Sequence, residues 1–362
     1  MNILILGGTP AHRGGLEQFC DRAREALSEV GGHRVRHVYS HSSYLRLRSL
    51  PAFLGSVLGL LVARRERPDC VWLQYVSFPD LALLLICRLR RLTVLVTPHL
   101  GSNWASQTNP MMRWLTKMSL AASSGIGLLS PTQAKELALP VSPPRFELFT
   151  FLPRTLPRRT AARPGHGRLR LVHAGRLSVG KGSFLFLDVC AILQRAGFAF
   201  EASLIGPCDD ATSDKLRSEI ERAGLQTRLD FVGPLPEAEL LEKLTSADIL
   251  VHLSRIDSFP LIVLESIGCG VFPVCKDLPG ARLMTQSYCG HIVDGSGEAE
   301  QAAQFILNAD LDQLRTSADA ASVWLRNDFG WGNCVDAVER AAARLVWGES
   351  VAECRRMPDW KL

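Results

Sequence analysis

The chain of 362 residues is two to three times the usual domain length of about 100–150 residues, which excludes a single small fold and makes two domains the first expectation. Apolar residues make up 47% and charged residues 21%, with a net charge of +5, which supplies sizeable cores and excludes a disordered chain. That charge is unevenly spread: residues 1–155 carry 18 Lys/Arg against 9 Asp/Glu, residues 156–169 add four arginines and no acid, and the remainder is acidic.

The opening Met-Asn-Ile-Leu-Ile-Leu-Gly-Gly has no basic stretch and no long apolar run, so it reads as a strand rather than an export signal. Ser49 to Ala63, the longest nearly uncharged stretch, holds a proline and two glycines and is shorter than the ~20 residues of a spanning helix. The ten cysteines form no Cys-x-x-Cys pair and match no zinc or disulfide framework, which points to reduced cytosol.

Short Val/Ile/Leu runs alternate with helical-period segments, the pattern of parallel sheets covered by crossover helices. Strands are expected near 2–7, 34–39, 70–75, 93–98, 125–130 and 146–151, with a clear helix from Leu16 to Val30. Prolines and arginines then break all periodicity over 156–168, a linker. A second series follows, with strands at 169–173, 200–205, 229–232, 248–253 and 271–275, and helices at 183–196, 212–223, 237–246 and 261–268. The fold class is therefore α/β, with domains over 1–155 and 169–330. Two doubly wound domains on one linker imply ligand-binding loops at the strand carboxyl ends and a cleft between the domains.

In the first domain Arg46, Arg48, Arg64, Arg65 and Arg67 flank an apolar stretch with Phe53, Leu54, Val57, Leu58 and Leu60. An amphipathic segment resting on an anionic membrane surface has this pattern, and so does a core-packed helix.

Three loops carry candidate chemistry. Gly7-Gly8-Thr9-Pro10-Ala11-His12-Arg13-Gly14-Gly15-Leu16-Glu17 is a glycine-rich turn opening a helix, suited to a phosphate or sugar, or simply to a tight turn. Its spacing does not match a dinucleotide-binding fingerprint. His173-Ala174-Gly175-Arg176-Leu177-Ser178-Val179-Gly180-Lys181-Gly182 places two cations on a glycine-rich loop, where they would converge on a diphosphate or else be solvated. In Asp257-Ser258-Phe259-Pro260-Leu261-Ile262-Val263-Leu264-Glu265, the second acid lies inside an apolar helix and so requires a polar partner, either sugar hydroxyls or a buried cation.

In this order and spacing, the three loops resemble the retaining nucleotide-sugar glycosyltransferases of family 4, which have the GT-B fold of two Rossmann-like domains. The similarity is strongest over 169–275. It implies that Arg176 and Lys181 hold the donor diphosphate, Glu265 binds the nucleotide ribose, and Asp257 contacts the transferred sugar. Gly175 would shape the phosphate loop, and the backbone around Ser258, Phe259 and Leu261 would cradle phosphate or sugar. Gly14, Gly15 and Glu17 match the family's Gly-Gly-x-Glu loop near donor phosphate and acceptor, and His99 stands where relatives carry a histidine near the anomeric centre. The sequence departs from the family at Asp257, where Glu is usual, and at Leu100 after His99. The segment from Phe329 resembles the terminal helix, here about 331–348, that returns to the first domain.

The resemblance implies hexosyl transfer from a UDP- or GDP-linked sugar to an acceptor saccharide or glycolipid, such as a lipid-linked or cell-surface polysaccharide precursor. Fixed cations would neutralise the leaving diphosphate without metal or cofactor. The solitary Asp-x-Asp, Asp310 and Asp312, reads as surface. No nucleic-acid partner is expected; cysteine usage points to the cytoplasm, and the basic and apolar first domain adds peripheral contact with the inner face of an anionic membrane as an expectation. A GT-B-fold sugar-nucleotide epimerase and a catalytically inactive sugar-nucleotide-binding protein are the alternatives.

Overall fold

The computed structural model describes residues 1–10, 14–42, 45, 47–62, 67–101, 104–158 and 168–348. His12, Arg13, Arg46, Arg64, Arg65 and most of the expected linker, 159–167, lie outside the described residues. The chain divides into two compact units, one formed by Met1–Arg154 with the segment from Phe329, the other by Thr155–Asp328.

The first unit runs β1 (Asn2–Leu6), α1 (Gly15–Glu29), β2 (Arg34–Val38), α2 (Leu50–Val62), β3 (Cys70–Tyr75), α3 (Asp80–Leu89), β4 (Val94–Pro98), α4 (Ala105–Thr108), α5 (Pro110–Ala121), β5 (Gly125–Leu128), α6 (Gln133–Glu136) and β6 (Arg145–Glu147). All six strands are parallel, in the order β2-β1-β3-β4-β5-β6. β3 and β4 are buried along their whole length, which explains why they read as unbroken apolar runs rather than alternating ones.

One core of this unit joins Leu4, Leu6, Val71, Leu73 and Val96 of the strands to Phe53, Leu60, Leu83, Leu84 and Leu120 of α2, α3 and α5, so these three helices cover one sheet face. Phe53 and Leu60 are thus core residues, as in the core-packed alternative, whereas Leu54 and Leu58 of the same stretch are exposed; Phe53 and Leu60 turn inward because the α2 face carrying them meets the strands. On the other side, Phe19 of α1 meets Trp72 and Phe151 edge-on at 5.5 and 5.8 Å.

The expected strand 146–151 is cut short after Glu147. After Leu148, whose N–H still donates to Leu128 O at 2.8 Å, residues Phe149 to Leu152 leave the sheet as buried irregular chain because the terminal segment claims them. Phe329 packs edge-on against Phe149 at 5.8 Å, and the Trp331 indole N–H donates to Leu152 O at 2.9 Å. The final helix lies over Trp331–Trp347 and buries Cys334, Val335, Val338, Ala341 and Ala342 at helical spacing.

The second unit runs β7 (Leu169–Ala174), α7 (Ser183–Arg195), β8 (Phe200–Ile205), α8 (Asp210–Arg222), β9 (Leu229–Gly233), α9 (Glu237–Ser246), β10 (Ile249–His252), α10 (Leu261–Gly268), β11 (Phe272–Lys276), α11 (Pro279–Ser287), β12 (His291–Val293), α12 (Glu298–Asn308) and α13 (Leu311–Asp328). Its parallel order is β12-β11-β10-β7-β8-β9, so the direction of winding reverses between β7 and β10. Among the described residues no helix is long and apolar enough to cross a membrane.

Candidate active site

Ligands of doubly wound sheets bind beyond the strand carboxyl ends where the strand order reverses. In the second unit the loops there are 175–182 after β7 and 253–260 after β10. Their backbones interlock. The Arg255 N–H donates to Gly180 O at 2.8 Å, and Gly182, with φ +80°, lies so close to Leu253 that a Cβ would stand 2.4 Å from its carbonyl oxygen. Only glycine fits both the left-handed backbone and that approach.

The interlocked loops bring two expected site residues together. The Lys181 ammonium donates to Asp257 Oδ1, and His252 Nε2 donates to Asp257 Oδ2 at 2.9 Å. Burial by itself would raise Asp257, but the hydrogen bond and positive field of His252, together with Lys181, hold its carboxyl well below the usual carboxylate range. The Lys181 and Asp257 side chains remain 25% and 15% exposed, so the pair is reachable from outside.

The other expected residues of the second unit lie on the same two loops and on α10. Gly175, with φ +137°, turns the chain out of β7, and Arg176 stands exposed beside it. Ser258, Phe259 and Leu261 are half-buried, and Glu265 is buried within α10.

Beneath the first loop a hydrogen-bond chain fixes its shape. The Ser178 N–H donates to Ser183 Oγ at 3.0 Å, which stands 3.1 Å from His173 Nε2, while His173 Nδ1 lies 2.9 Å from Val251 O. A carbonyl only accepts, so Nδ1 carries the proton and Nε2 accepts from the Ser183 hydroxyl. Burial pulls the His173 imidazole down to about 4, consistent with that neutral form. His173 stacks against His252 with ring centroids 6.5 Å apart.

In the first unit, the glycine loop leaves β1 and ends at Gly14, the residue capping α1, with Gly15 as the first helical residue. Glu17 closes the loop: Oε1 accepts the Thr9 N–H and Oε2 the Gly14 N–H, both at 3.0 Å. Its carboxylate therefore ties together the two ends of the loop, Thr9 and Gly14, beside the acceptor role that the resemblance implies. His99 follows β4. Its backbone N–H donates to Tyr75 O at 2.8 Å and its Nε2–H to Gln74 Oε1 at 2.9 Å. Burial pulls His99 down to about 4, so the ring is neutral near pH 7 with Nδ1 as an acceptor.

The sequence reading did not assign roles to His252, Ser183 or Gln74, and it quoted His173 without one. A signal was available: Leu-Val-His occurs twice, at Leu171-Val172-His173 and Leu250-Val251-His252, each time closing an apolar strand. A polar ring at the end of a buried strand must have hydrogen-bond partners there. Asp310 and Asp312 belong to the start of α13, where Asp310 Oδ1 accepts the N–H groups of Asp312 and Gln313 at 3.0 and 3.1 Å. Among the described residues no group of three or more His, Cys, Asp or Glu is arranged to hold a metal ion.

Comparison with known proteins places the second-unit loops of this site within a matched segment. Residues 159–320 match the model of the family described as Glycosyl transferases group 1. A D-inositol 3-phosphate glycosyltransferase of an Arthrobacter species is 29% identical over 217 residues, 56% of this chain and 51% of the relative. A GDP-mannose:cellobiosyl-diphosphopolyprenol alpha-mannosyltransferase of Xanthomonas campestris is 28% identical over 156 residues, 41% of each chain. The chain spans about half the length of the curated relatives it matches. Among solved structures, sucrose-phosphate synthase from Thermosynechococcus elongatus superposes with a TM-score of 0.78 at 17% identity, covering 96% of this chain and 100% of the other. Anabaena HepE in complex with UDP-glucose superposes with a TM-score of 0.75 at 15% identity, covering 95% and 99%. The two parallel-sheet units thus have the fold of GT-B glycosyltransferases, and the similarity to the glycosyl transferases group 1 model falls on the second unit.

Proposed function

We propose that this chain is a retaining glycosyltransferase of family 4 that moves a hexosyl unit from a UDP- or GDP-linked sugar to a hydroxyl of a saccharide or glycolipid acceptor. The observation that carries this reading is the Lys181–Asp257 pair, set by interlocked loops at the reversal point of the second unit. The matched segment covers the same residues, and relatives and structural neighbours named as transferases or solved with UDP-glucose are consistent with it.

In this reading the ammonium of Lys181 has three N–H donors and needs only one for Asp257, so two remain for the donor's diphosphate. Arg176, on the same loop, adds a bidentate fork. As the glycosidic bond to the leaving phosphate breaks, negative charge grows on the diphosphate, and cations fixed there bind the transition state better than the ground state. Asp257 orients Lys181 and presents its carboxylate to hydroxyls of the transferred sugar, while Glu265 accepts from the nucleotide ribose. Same-face attack follows, with the leaving phosphate taking the proton of the acceptor hydroxyl. His99 and Glu17 serve the acceptor side, Gly14 and Gly15 the donor phosphate, and the transfer in this reading uses neither metal nor cofactor.

The test is incubation of the full chain with radiolabelled UDP- and GDP-hexoses, with and without saccharide and lipid-linked acceptors. Label in the acceptor, or slow donor hydrolysis, supports transfer. An epimerised donor, or binding without turnover, overturns it.

A further inference from the structure

The helices covering one face of the first sheet carry a row of exposed apolar side chains. On α2, Leu50, Leu54, Leu58 and Leu61 recur at helical spacing and are 38–58% exposed. On α3, Leu85 and Leu89 are 47% and 80% exposed, and on α5, Met111, Trp114 and Met118 are 54–65% exposed at the same kind of spacing. The three helices belong to one core face, and the Arg88 guanidinium of α3 donates to Ala122 O at the end of α5 at 3.3 Å. An apolar surface of this extent on a folded chain marks an interaction site.

Charge identifies the partner. From residue 30 to residue 135 the chain holds 13 Lys/Arg and only three acids, Glu66, Asp69 and Asp80. Asp80 is buried and accepts the Val76 and Ser77 N–H groups, and Asp69 accepts the Asn2 N–H, while Glu66 lies outside the described residues. Arg48, Arg67, Arg88, Arg91, Arg113 and Lys117 are exposed along the same helices and their ends. Leucine, methionine and tryptophan on helices bordered by cations suit the acyl boundary and head groups of an anionic bilayer, where tryptophan favours the interface.

We infer that α2, α3 and α5 form a docking face on which the chain lies against an anionic lipid surface, its apolar row inserted at the acyl boundary and its cations on the head groups. The inference goes beyond the transfer reading and does not depend on it, because the face belongs to the first unit alone and its test uses no donor or acceptor.

The experiment is co-sedimentation of the full chain with phosphatidylcholine vesicles, with or without one-third phosphatidylglycerol, at low and high salt. Expected is binding to the anionic vesicles, weakened by salt, with partitioning reduced about tenfold or more in Leu54→Glu/Leu58→Glu and equally in Trp114→Glu/Met118→Glu. All four positions are exposed, and circular dichroism checks that each variant is folded; the two pairs, on separate helices, test the face independently. Failure to bind anionic vesicles, equal binding to neutral ones, or unchanged binding by both folded variants overturns the inference. So does sedimentation velocity showing a dimer that the Leu54→Glu/Leu58→Glu variant dissociates without any vesicle binding, which would assign the face to a second copy.

Discussion

Lys181 and Asp257, 76 positions apart in sequence, share an ion pair at the carboxyl ends of two neighbouring strands. Their loops cannot separate without breaking the Arg255–Gly180 hydrogen bond and the close packing of Gly182 on Leu253. The pair is therefore a preorganised feature of the second unit rather than a chance contact of two flexible side chains.

Removing either cation should remove most of the chemistry and little of the fold. Lys181→Ala and Arg176→Ala are each expected to lower transfer by about 100-fold or more, because both are proposed to act on the leaving diphosphate. Initial rates with a labelled sugar nucleotide, alongside a thermal melt, check this. Near-normal rates in both variants would end the assignment.

Asp257 should not govern the pH profile near neutrality. Its folded pKa is depressed, so the carboxylate and the stability it contributes are fully present above the ordinary carboxylate range and are lost only as pH falls below it. Asp257→Asn is expected to lower the rate at every pH from 5 to 8 without moving the acidic midpoint. A shifted midpoint in the rate profile would contradict this.

His173 supplies an acid-sensitive term in the second unit. Its imidazole is held at about 4 when folded, below the ordinary histidine value of 6.5, so stability is complete above the unfolded value and is lost as pH falls towards the folded one. The expected loss is about 2 kcal/mol between pH 7 and pH 5. Urea unfolding at the two pH values measures it. His173→Gln should reduce that difference by about the same amount, whatever its own effect on stability.

Glu17 is a stability residue as well as a candidate acceptor-side group. Glu17→Ala leaves the N–H groups of Thr9 and Gly14 without their carboxylate and should destabilise the first unit by about 2–3 kcal/mol. Denaturant unfolding followed by tryptophan fluorescence reports the change through Trp72, which is buried in that unit.

Much of the architecture was legible because parallel strands buried on both faces announce themselves as apolar runs, as Cys70–Tyr75 and Ile249–His252 do. What escaped was short or decided by tertiary contact. The three-residue strand His291–Val293 has no period to read. The chain after Glu147 is apolar enough for a strand, yet Phe329 and Trp331, nearly 180 positions later, draw it away from the sheet. On α2 the apolar positions surround the helix, so composition could not separate the inward Phe53 and Leu60 from the outward Leu54 and Leu58. In the site, Lys181 and Asp257 stood out as charges on strand-end loops, whereas their direct pairing, with His252 on the second carboxylate oxygen, depends on which strands are neighbours.

The central claim is that Lys181, held by Asp257, grips the diphosphate of a nucleotide-linked sugar. Isothermal titration of UDP and GDP into the wild-type chain and the Lys181→Ala variant tests it most directly. The account predicts that one of the two nucleotides binds the wild type at a single site, with affinity reduced about tenfold or more in the folded variant. Equal affinity in both proteins, or no binding of either nucleotide to the wild type, would contradict it.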